Sequence, residues 1–323
     1  MSVTHTERMG RNGGRRPALE TLTAVIPNWE TPDYTIKSVV ALLEDGVPPA
    51  RVVVVDNGSG DDSVARFQRE LPGCILLPLE QNIGYAKAAN AGAQRLQGDA
   101  YLIVNNDAFV HRRGSVETML EAFTHERIGI VVPRLLNPDH TLQPTVKPID
   151  TPAVALVRAS GLSRYIPNRW QPHWSTHWDH ARSREIRAAD GAVMLVRREV
   201  WEQLGGFSPR SHMYAEDTGL CWQAAEHGWK IWFEAHAEFV HLGNATASRR
   251  WSNPERAEHW SRSEANLVKE QLSPPAAVLS ILFTAAGLAV RVAVFELLRQ
   301  GERAASARAQ LRGYLSVLQP RSN

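Results

Sequence analysis

From Thr21 to about Val132, short apolar runs alternate with segments whose apolar positions keep helical spacing. Thr21–Pro27 predicts a strand, and Thr31–Pro32–Asp33 a helix start, with a capping threonine and proline in the first turn. Arg51–Val55 carries four consecutive valines, apolar on both faces as an inner parallel strand requires. Asp61 and Asp62 open the next helix, where their charges oppose the positive end of its dipole. Cys74–Leu77 predicts a third strand, Gly84–Leu96 a helix and Tyr101–Val104 a fourth strand. Strands interleaved with helices imply an α/β fold with a mainly parallel central sheet and helices on both faces. In such a sheet ligands gather just beyond the carboxyl ends of the strands.

After Val132 the rhythm breaks. Residues 133–185 are rich in proline, tryptophan, histidine and arginine and show little periodicity. Regularity returns with Gly191–Val196 (strand), Arg198–Leu204 and Glu216–His227 (helices), and Lys230–Phe233 and Glu238–His241 (strands). Trp251–Arg262 is mixed and polar and reads as a lid. Pro274–Pro275 marks a boundary, after which Ala276–Val290 runs 15 residues without a charge. As a helix that stretch is about 22 Å long, short of the roughly 30 Å hydrocarbon core. Arg291, Glu296 and Arg299 then interrupt it. A spanning helix is disfavoured. An interfacial helix or one-leaflet hairpin and a helix packed on protein are even alternatives.

The division that follows is a basic leader at 1–18, one half at 19–132, a second at 133–272, and C-terminal apolar or amphipathic helices at 273–323. The leader carries Arg8, Arg11, Arg15 and Arg16 without the apolar core of a secretory signal. With 323 residues, 43% of them hydrophobic, the chain can bury a full core. A formal charge of +2 is too small to argue for nucleic acid. Two cysteines, Cys74 and Cys221, exclude a disulfide framework and fit a reducing compartment.

The strand ends carry the chemistry. Asp56 follows the four valines and opens Asp56–Asn57–Gly58–Ser59, which is either turn chemistry or an acceptor for the ring N–H of a pyrimidine. Around Asn82–Ile83–Gly84–Tyr85–Ala86 and Ala89–Asn90–Ala91–Gly92, small residues leave one helix face nearly bare. Such a face serves close packing or a phosphate at the helix N-terminus. Asn105–Asn106–Asp107 follows the fourth strand. One carboxylate with amide oxygens suffices for a hard divalent cation that shares its shell with phosphates and water. Glu216 and Asp217 begin an amphipathic helix, where a carboxylate complements the dipole or serves as a general base on a rigid support.

The ordered set of Asp56, Asn82–Gly84–Tyr85–Ala86…Asn90–Gly92, Asn105–Asn106–Asp107, Gly191–Ala192…Gly205–Gly206–Phe207, Glu216–Asp217 and Val240–His241 resembles glycosyltransferase family 2, particularly its bacterial rhamnosyltransferase-like members. The resemblance covers about residues 21–250 and implies a GT-A fold, with a nucleotide-sugar-binding half merging into an acceptor-binding one. It implies that Pro27, Asn28 and Glu30 line the nucleotide pocket with Asp56, and that Asn82, Gly84, Lys87 and Asn90 border ribose and phosphates. Asp107 would bind Mg²⁺ or Mn²⁺ with Asn105 and Asn106 alongside, and His241 would join as a metal or phosphate ligand. Asp217 would be the base, Glu216 its neighbour, and Gly191 and Ala192 would lie under the acceptor. Many relatives place two carboxylates in the metal motif where this chain has Asp107 alone, which weakens the implied metal affinity.

The implied activity is inverting transfer of a sugar, rhamnose by resemblance, from a dTDP- or UDP-linked donor to a glycan or lipid-linked glycan. The implied location is the cytoplasm, with peripheral contact at the inner face of the membrane; homo-oligomers are admissible. Two rivals are a nucleotide-sugar-forming nucleotidyltransferase and a non-catalytic sugar-nucleotide-binding protein. The first wants a glycine-rich, arginine-containing loop where this chain has Pro27–Asn28–Trp29–Glu30. Trp170 and Trp174, with Trp178, suit either acceptor stacking or one buried helical stripe. A zinc site at His173, His177, Asp179 and His180 is disfavoured without cysteine or a helix beneath it.

Overall fold

The computed structural model describes residues 17–125, 127–147, 150–161, 178–208, 215–243 and 252–319. The first half supplies β1 (Leu22–Asn28), α1 (Pro32–Glu44), β2 (Val52–Asp56), α2 (Ser63–Glu70), β3 (Ile75–Pro78), α3 (Tyr85–Arg95) and β4 (Ala100–Val104). These follow the predicted elements within a residue or two. Short pieces come next: β5 (Ala108–Val110), α4 (Ser115–Glu121), β6 (Ile128–Leu136), β7 (Leu142–Gln143), β8 (Val146–Lys147) and α5 (Pro152–Ala159). Then follow β9 (Arg184–Ile186), β10 (Ala188–Ala189), β11 (Val193–Arg197), α6 (Arg198–Leu204), α7 (Glu216–Glu226) and β12 (Lys230–His241). Three helices finish the chain: α8 (Asn253–Gln271), α9 (Pro274–Leu297) and α10 (Gly301–Ser316).

The main sheet runs β3-β2-β1-β4-β11-β6-β12-β5. Its first four strands are parallel, and β11 then returns antiparallel to β4, with Val193 opposite Val104. That reversal brings the start of β11 beside the carboxyl end of β4, where the first half already presents its polar groups. Along β2 the valines alternate between two cores. Val52 and Val54 join one with Leu22, Ile26 and Leu102, while Val53 and Val55 join the other with Val25 and Ile103. Burying each such side chain is worth roughly 1.5–3 kcal/mol. The small face of α3 packs on this second core: a Cβ at Gly92 would lie 2.4 Å from Val25 Cγ1.

Four expectations need correction. Thr31 precedes α1 but makes no side-chain cap; its hydroxyl donates to the Trp29 carbonyl at 3.2 Å. Lys230–Phe233 and Glu238–His241 are one strand, β12, kept continuous by an irregular register between Glu234 and Glu238. The polar stretch read as a lid is instead the first half of α8 from Asn253 onward, opened by a Ser252–Glu255 capping box. Finally, α9 does not stop at Arg291. It continues to Leu297 as a 24-residue helix, about 36 Å long at the usual rise. One face of it, with Ala277, Ile281 and Leu288, shares a small core with Ala265 and Val268 of α8 and Tyr314 of α10. The other leaves Val278, Leu279, Leu282, Val290, Val294 and Leu297 exposed. By length and composition alone, α9 could cross a bilayer.

His180 is wholly buried beside Trp178 at a ring distance of 4.2 Å and edge-on to Phe233. Its Nδ1 lies 2.7 Å from the Trp178 carbonyl, which can only accept, and Nε2 has no partner. The other histidines of the disfavoured zinc set, His173 and His177, lie outside the described residues. Burial lowers the His180 pKa first, with nearby Arg134 and Arg184 acting in the same direction and the Trp178 carbonyl and Asp179 opposing them. The unfolded chain therefore takes up a proton through the ordinary histidine range while the folded one does not, so stability falls on acidification there. Thermal melts between about pH 7.5 and about pH 5 should show a shallower decline for His180→Phe than for wild type. Parallel curves would rule out this contribution.

Candidate active site

The carboxyl ends of β1 and β2 meet at Asp56, which is 1% exposed. Its Oδ1 accepts from Asn28 Nδ2 at 2.9 Å and Ser59 Oγ at 2.6 Å, and its Oδ2 from the Ser59 amide at 3.0 Å. With about four lone-pair sites on a carboxylate, these bonds leave Oδ2 one direction for a further donor. Asn28 Oδ1 in turn accepts from Thr35 Oγ1 at 2.7 Å, and Asn106 Nδ2 donates to Thr31 Oγ1 at 2.6 Å and Thr35 Oγ1 at 3.2 Å. A buried polar network thus runs from Asp56 to the residue beside Asp107. Asn28 and Asn106, expected among the donor ligands, face inward as braces of that network. Thr31 and Thr35 complete it. They read from the sequence as ordinary helix-start residues, because only the fold brings α1 against the end of β4.

The neighbouring loops are tied in the same manner. Asn82 Oδ1 accepts from Asn57 Nδ2 at 3.2 Å and the Gly84 amide at 3.0 Å, while Asn57 Oδ1 accepts from the Ile83 amide at 2.9 Å. Gly84, at φ +88, is the cap of α3, and Lys87 stands exposed on its first turn. Glu30 also has a left-handed backbone, at φ 54, with its amide donating to Ser59 Oγ at 2.9 Å. Pro27 is buried at the end of β1, past the last residue paired with β4. Asn90, expected to border ribose and phosphates, has its side-chain amide engaged by backbone. Its amide bonds both backbone groups of Phe207, at 2.8 and 2.9 Å, pinning α3 to the turn after α6.

The second half adds the acidic groups. The Asn105 amide donates to the Ala192 carbonyl at 2.8 Å, and the adjacent Gly191 amide donates to Asp217 Oδ2 at 2.6 Å. Asp217 Oδ1 accepts from the Thr218 amide at 2.6 Å, so backbone donors hold both oxygens at the start of α7. Gly191 permits this approach: a Cβ there would lie 2.5 Å from Asp217 Cβ. Glu216, 8% exposed, folds back so that Oε2 accepts from the Ala215 amide at 3.0 Å. At the end of β12, His241 pairs in register with Ala108 and sets Nε2 3.3 Å from Asp107 Oδ1.

Tyr85 stands within electrostatic reach of three of these carboxylates. Its hydroxyl is buried with no hydrogen-bond partner. Burial drives its pKa well above the phenol range, and the charges of Glu216, Asp217 and Asp107 add to the rise. This buried donor among three carboxylates went unremarked in the sequence, where it sits inside a helix-start motif. Cys221, a near neighbour on α7, is pushed up to about 12 by burial and is no nucleophile. Trp170 and Trp174 lie outside the described residues.

Asp107 and His241 supply one carboxylate oxygen and one imidazole nitrogen side by side, which fits a divalent cation sharing its shell with phosphate oxygens. Among the described residues no three acidic, histidine or cysteine side chains gather as a closed metal cage. Two protein donors leave room for the ligand.

Comparison with known proteins agrees with this architecture. The family model described as glycosyl transferase family 2 matches residues 23–205, and that of glycosyl transferase family 21 matches residues 179–316. The chain is 29% identical over 209 residues to an N-acetylglucosaminyl-diphospho-decaprenol L-rhamnosyltransferase of Mycobacterium tuberculosis, across 60% of this chain and 66% of that protein, just short of two thirds. It is 27% identical to the low-salt glycan biosynthesis hexosyltransferase Agl10 of Haloferax volcanii, across 64% and 62% of the two chains. Among solved structures, the mannosyltransferase PcManGT from Pyrobaculum calidifontis, in complex with GDP-Man and Mn²⁺, superposes with a TM-score of 0.58 at 17% identity, covering 95% of this chain and 89% of its own. GalNAc-T7 with UDP, GalNAc and Mn²⁺ gives 0.53 at 14% identity over 76% and 47%. The fold is that of GT-A glycosyltransferases.

Proposed function

Because the chain belongs to glycosyl transferase family 2, we propose that it transfers a sugar, with inversion, from a nucleotide-diphosphate donor to an acceptor hydroxyl. The observation that carries this reading is the link from Asp217 through Gly191 and Ala192 to Asn105, two residues before Asp107. It ties a fixed carboxylate to the segment that carries Asp107.

Inverting transfer is one in-line displacement at the anomeric carbon. It needs a base on the acceptor side and stabilisation of the departing diphosphate opposite. Asp217 takes the acceptor proton. Its two backbone contacts fix its direction and leave lone pairs for that proton. Asp56 receives the ring N–H of the base with its remaining Oδ2 direction. Tyr85 offers its hydroxyl to the donor, and Asn28, Asn106, Asn82 and Asn90 hold the loops that shape the pocket. Asp107 and His241 would hold Mg²⁺ or Mn²⁺, which when bound neutralises the diphosphate leaving group.

The donor we favour is dTDP-rhamnose with UDP-linked sugars as the alternative, supported by the similarity to the mycobacterial rhamnosyltransferase. A lipid-linked acceptor met at the cytoplasmic membrane surface is supported by the exposed apolar face of α9. Donor turnover with dTDP- and UDP-sugars, each with and without Mn²⁺, tests the reading. A metal-dependent release of nucleotide diphosphate from one donor is expected, with that donor raising the melting temperature. Binding without turnover in any combination of donor, metal and lipid-linked acceptor would favour the non-catalytic rival.

A further inference from the structure

A chain of polar side chains behind His241 has a direction. It starts at Asp139, an exposed carboxylate that Thr141 holds below the usual carboxylate range through its hydroxyl and amide. A carboxylate only accepts, so the Thr141 hydroxyl must donate to Asp139 Oδ1, at 2.6 Å. The Thr141 oxygen is then the acceptor for Asn137 Nδ2 at 2.9 Å, and the same nitrogen donates to the Leu142 carbonyl at 3.3 Å. This orients the Asn137 amide, and its Oδ1 accepts from Gln143 Nε2 at 3.0 Å. Gln143 Nε2 also donates to the His241 carbonyl at 3.3 Å. Reversing the Gln143 amide would set an oxygen against two oxygens. Its Oε1 therefore faces His241 Nδ1, 2.8 Å away, and that nitrogen must carry a hydrogen.

The fold explains how Gln143 gets there. Strand β7 pairs with the end of β6 at Leu135, while β12 pairs with the same end through Phe239 and Val240 on its other side. Gln143 reaches across the tip of β6 to the last residue of β12. With Nδ1 engaged, the neutral ring presents Nε2 as a bare lone pair 3.3 Å from Asp107 Oδ1. Two lone pairs at that separation repel unless a proton or a metal cation lies between them.

We propose that Gln143 is a positioning residue: it fixes His241 as the Nδ1–H tautomer and so aims Nε2, together with Asp107, at the divalent cation. The cation part rests on the metal reading given above; the tautomer part stands on hydrogen-bond direction alone.

The test uses the full chain labelled with ¹⁵N-histidine and free of metal, at about pH 8. Long-range ¹H–¹⁵N spectra distinguish the two neutral tautomers, and His241→Asn identifies the His241 signals by their loss. Wild type should show the Nδ1–H pattern. Gln143→Leu should move His241 toward Nε2–H, the form that donates to Asp107, while Gln143→Glu, which keeps an acceptor, should retain Nδ1–H. Mn²⁺ titration followed by electron paramagnetic resonance, with UDP or dTDP present, should show about 10–100-fold weaker binding for Gln143→Leu and a smaller loss for Gln143→Glu. An Nε2–H pattern in wild type, or a Gln143→Leu protein that keeps both the Nδ1–H pattern and wild-type Mn²⁺ affinity, overturns the proposal. If wild type shows Nδ1–H yet binds no Mn²⁺ with either nucleotide, the tautomer assignment is upheld and the metal reading falls.

Discussion

Replacing Asp217 by asparagine is expected to lower turnover at least a hundredfold while leaving donor affinity close to wild type. A positioned base contributes typically 10²–10⁴-fold, about 2.7–5.4 kcal/mol of barrier. Asparagine keeps the shape but cannot take the acceptor proton. It also turns an NH₂ toward one of two backbone donors, since the Gly191 amide now meets Oδ2 at 2.6 Å and the Thr218 amide meets Oδ1 at 2.6 Å. Glu216 is poorly placed to substitute, being 8% exposed and folded onto its own preceding amide. Single-turnover rates and donor dissociation constants, measured on the same preparations, separate chemistry from binding. Turnover within tenfold of wild type would remove Asp217 from the role of base.

Gly191→Ala should cost nearly as much without touching an ionisable group. The added Cβ would lie 2.5 Å from Asp217 Cβ and 3.3 Å from its Oδ2, closer than side-chain carbons tolerate. Gly191 is not among the positive-φ glycines, so its backbone accepts alanine and the clash is with the base itself. Displacing a reacting group by about 1 Å can cost about 10²-fold in rate, and a fall of that order is expected in turnover, with donor affinity again near wild type. The pair should be non-additive. Once Asp217→Asn has removed the base, adding Gly191→Ala should lower the rate little further. A double mutant whose losses multiply would mean that Gly191 acts on something other than Asp217.

Much of the first half was legible because local chemistry and global fold agree there. Four valines buried on both faces can hardly be anything but an inner strand, and Asp56 follows them directly. The place of Asp107 after β4, and of Glu216 and Asp217 at the start of α7, was equally readable from spacing. The direction of the side chains was not. Asn28, Asn90 and Asn106 stand in motif positions that suggest ligands, yet their amides are engaged by Asp56, Phe207 and the threonines of α1. An asparagine is the same letter whether it meets solvent or a backbone 117 residues away. The tail misled for a related reason. Charge marked Arg291 as a helix limit, but α9 runs on because Arg291 points to solvent and leaves the packed face undisturbed.

By itself, then, the order of apolar and polar residues determined a parallel α/β sheet, its strand ends, and which carboxylates stand at them, since period and burial are local properties of the chain. Only the tertiary structure decided that β11 returns antiparallel beside β4, that Gly191 thereby grips Asp217, and that Gln143 reaches across β6 to orient His241. Those contacts join residues far apart in sequence. Their geometry follows from how sheets twist and pack, which no single segment encodes.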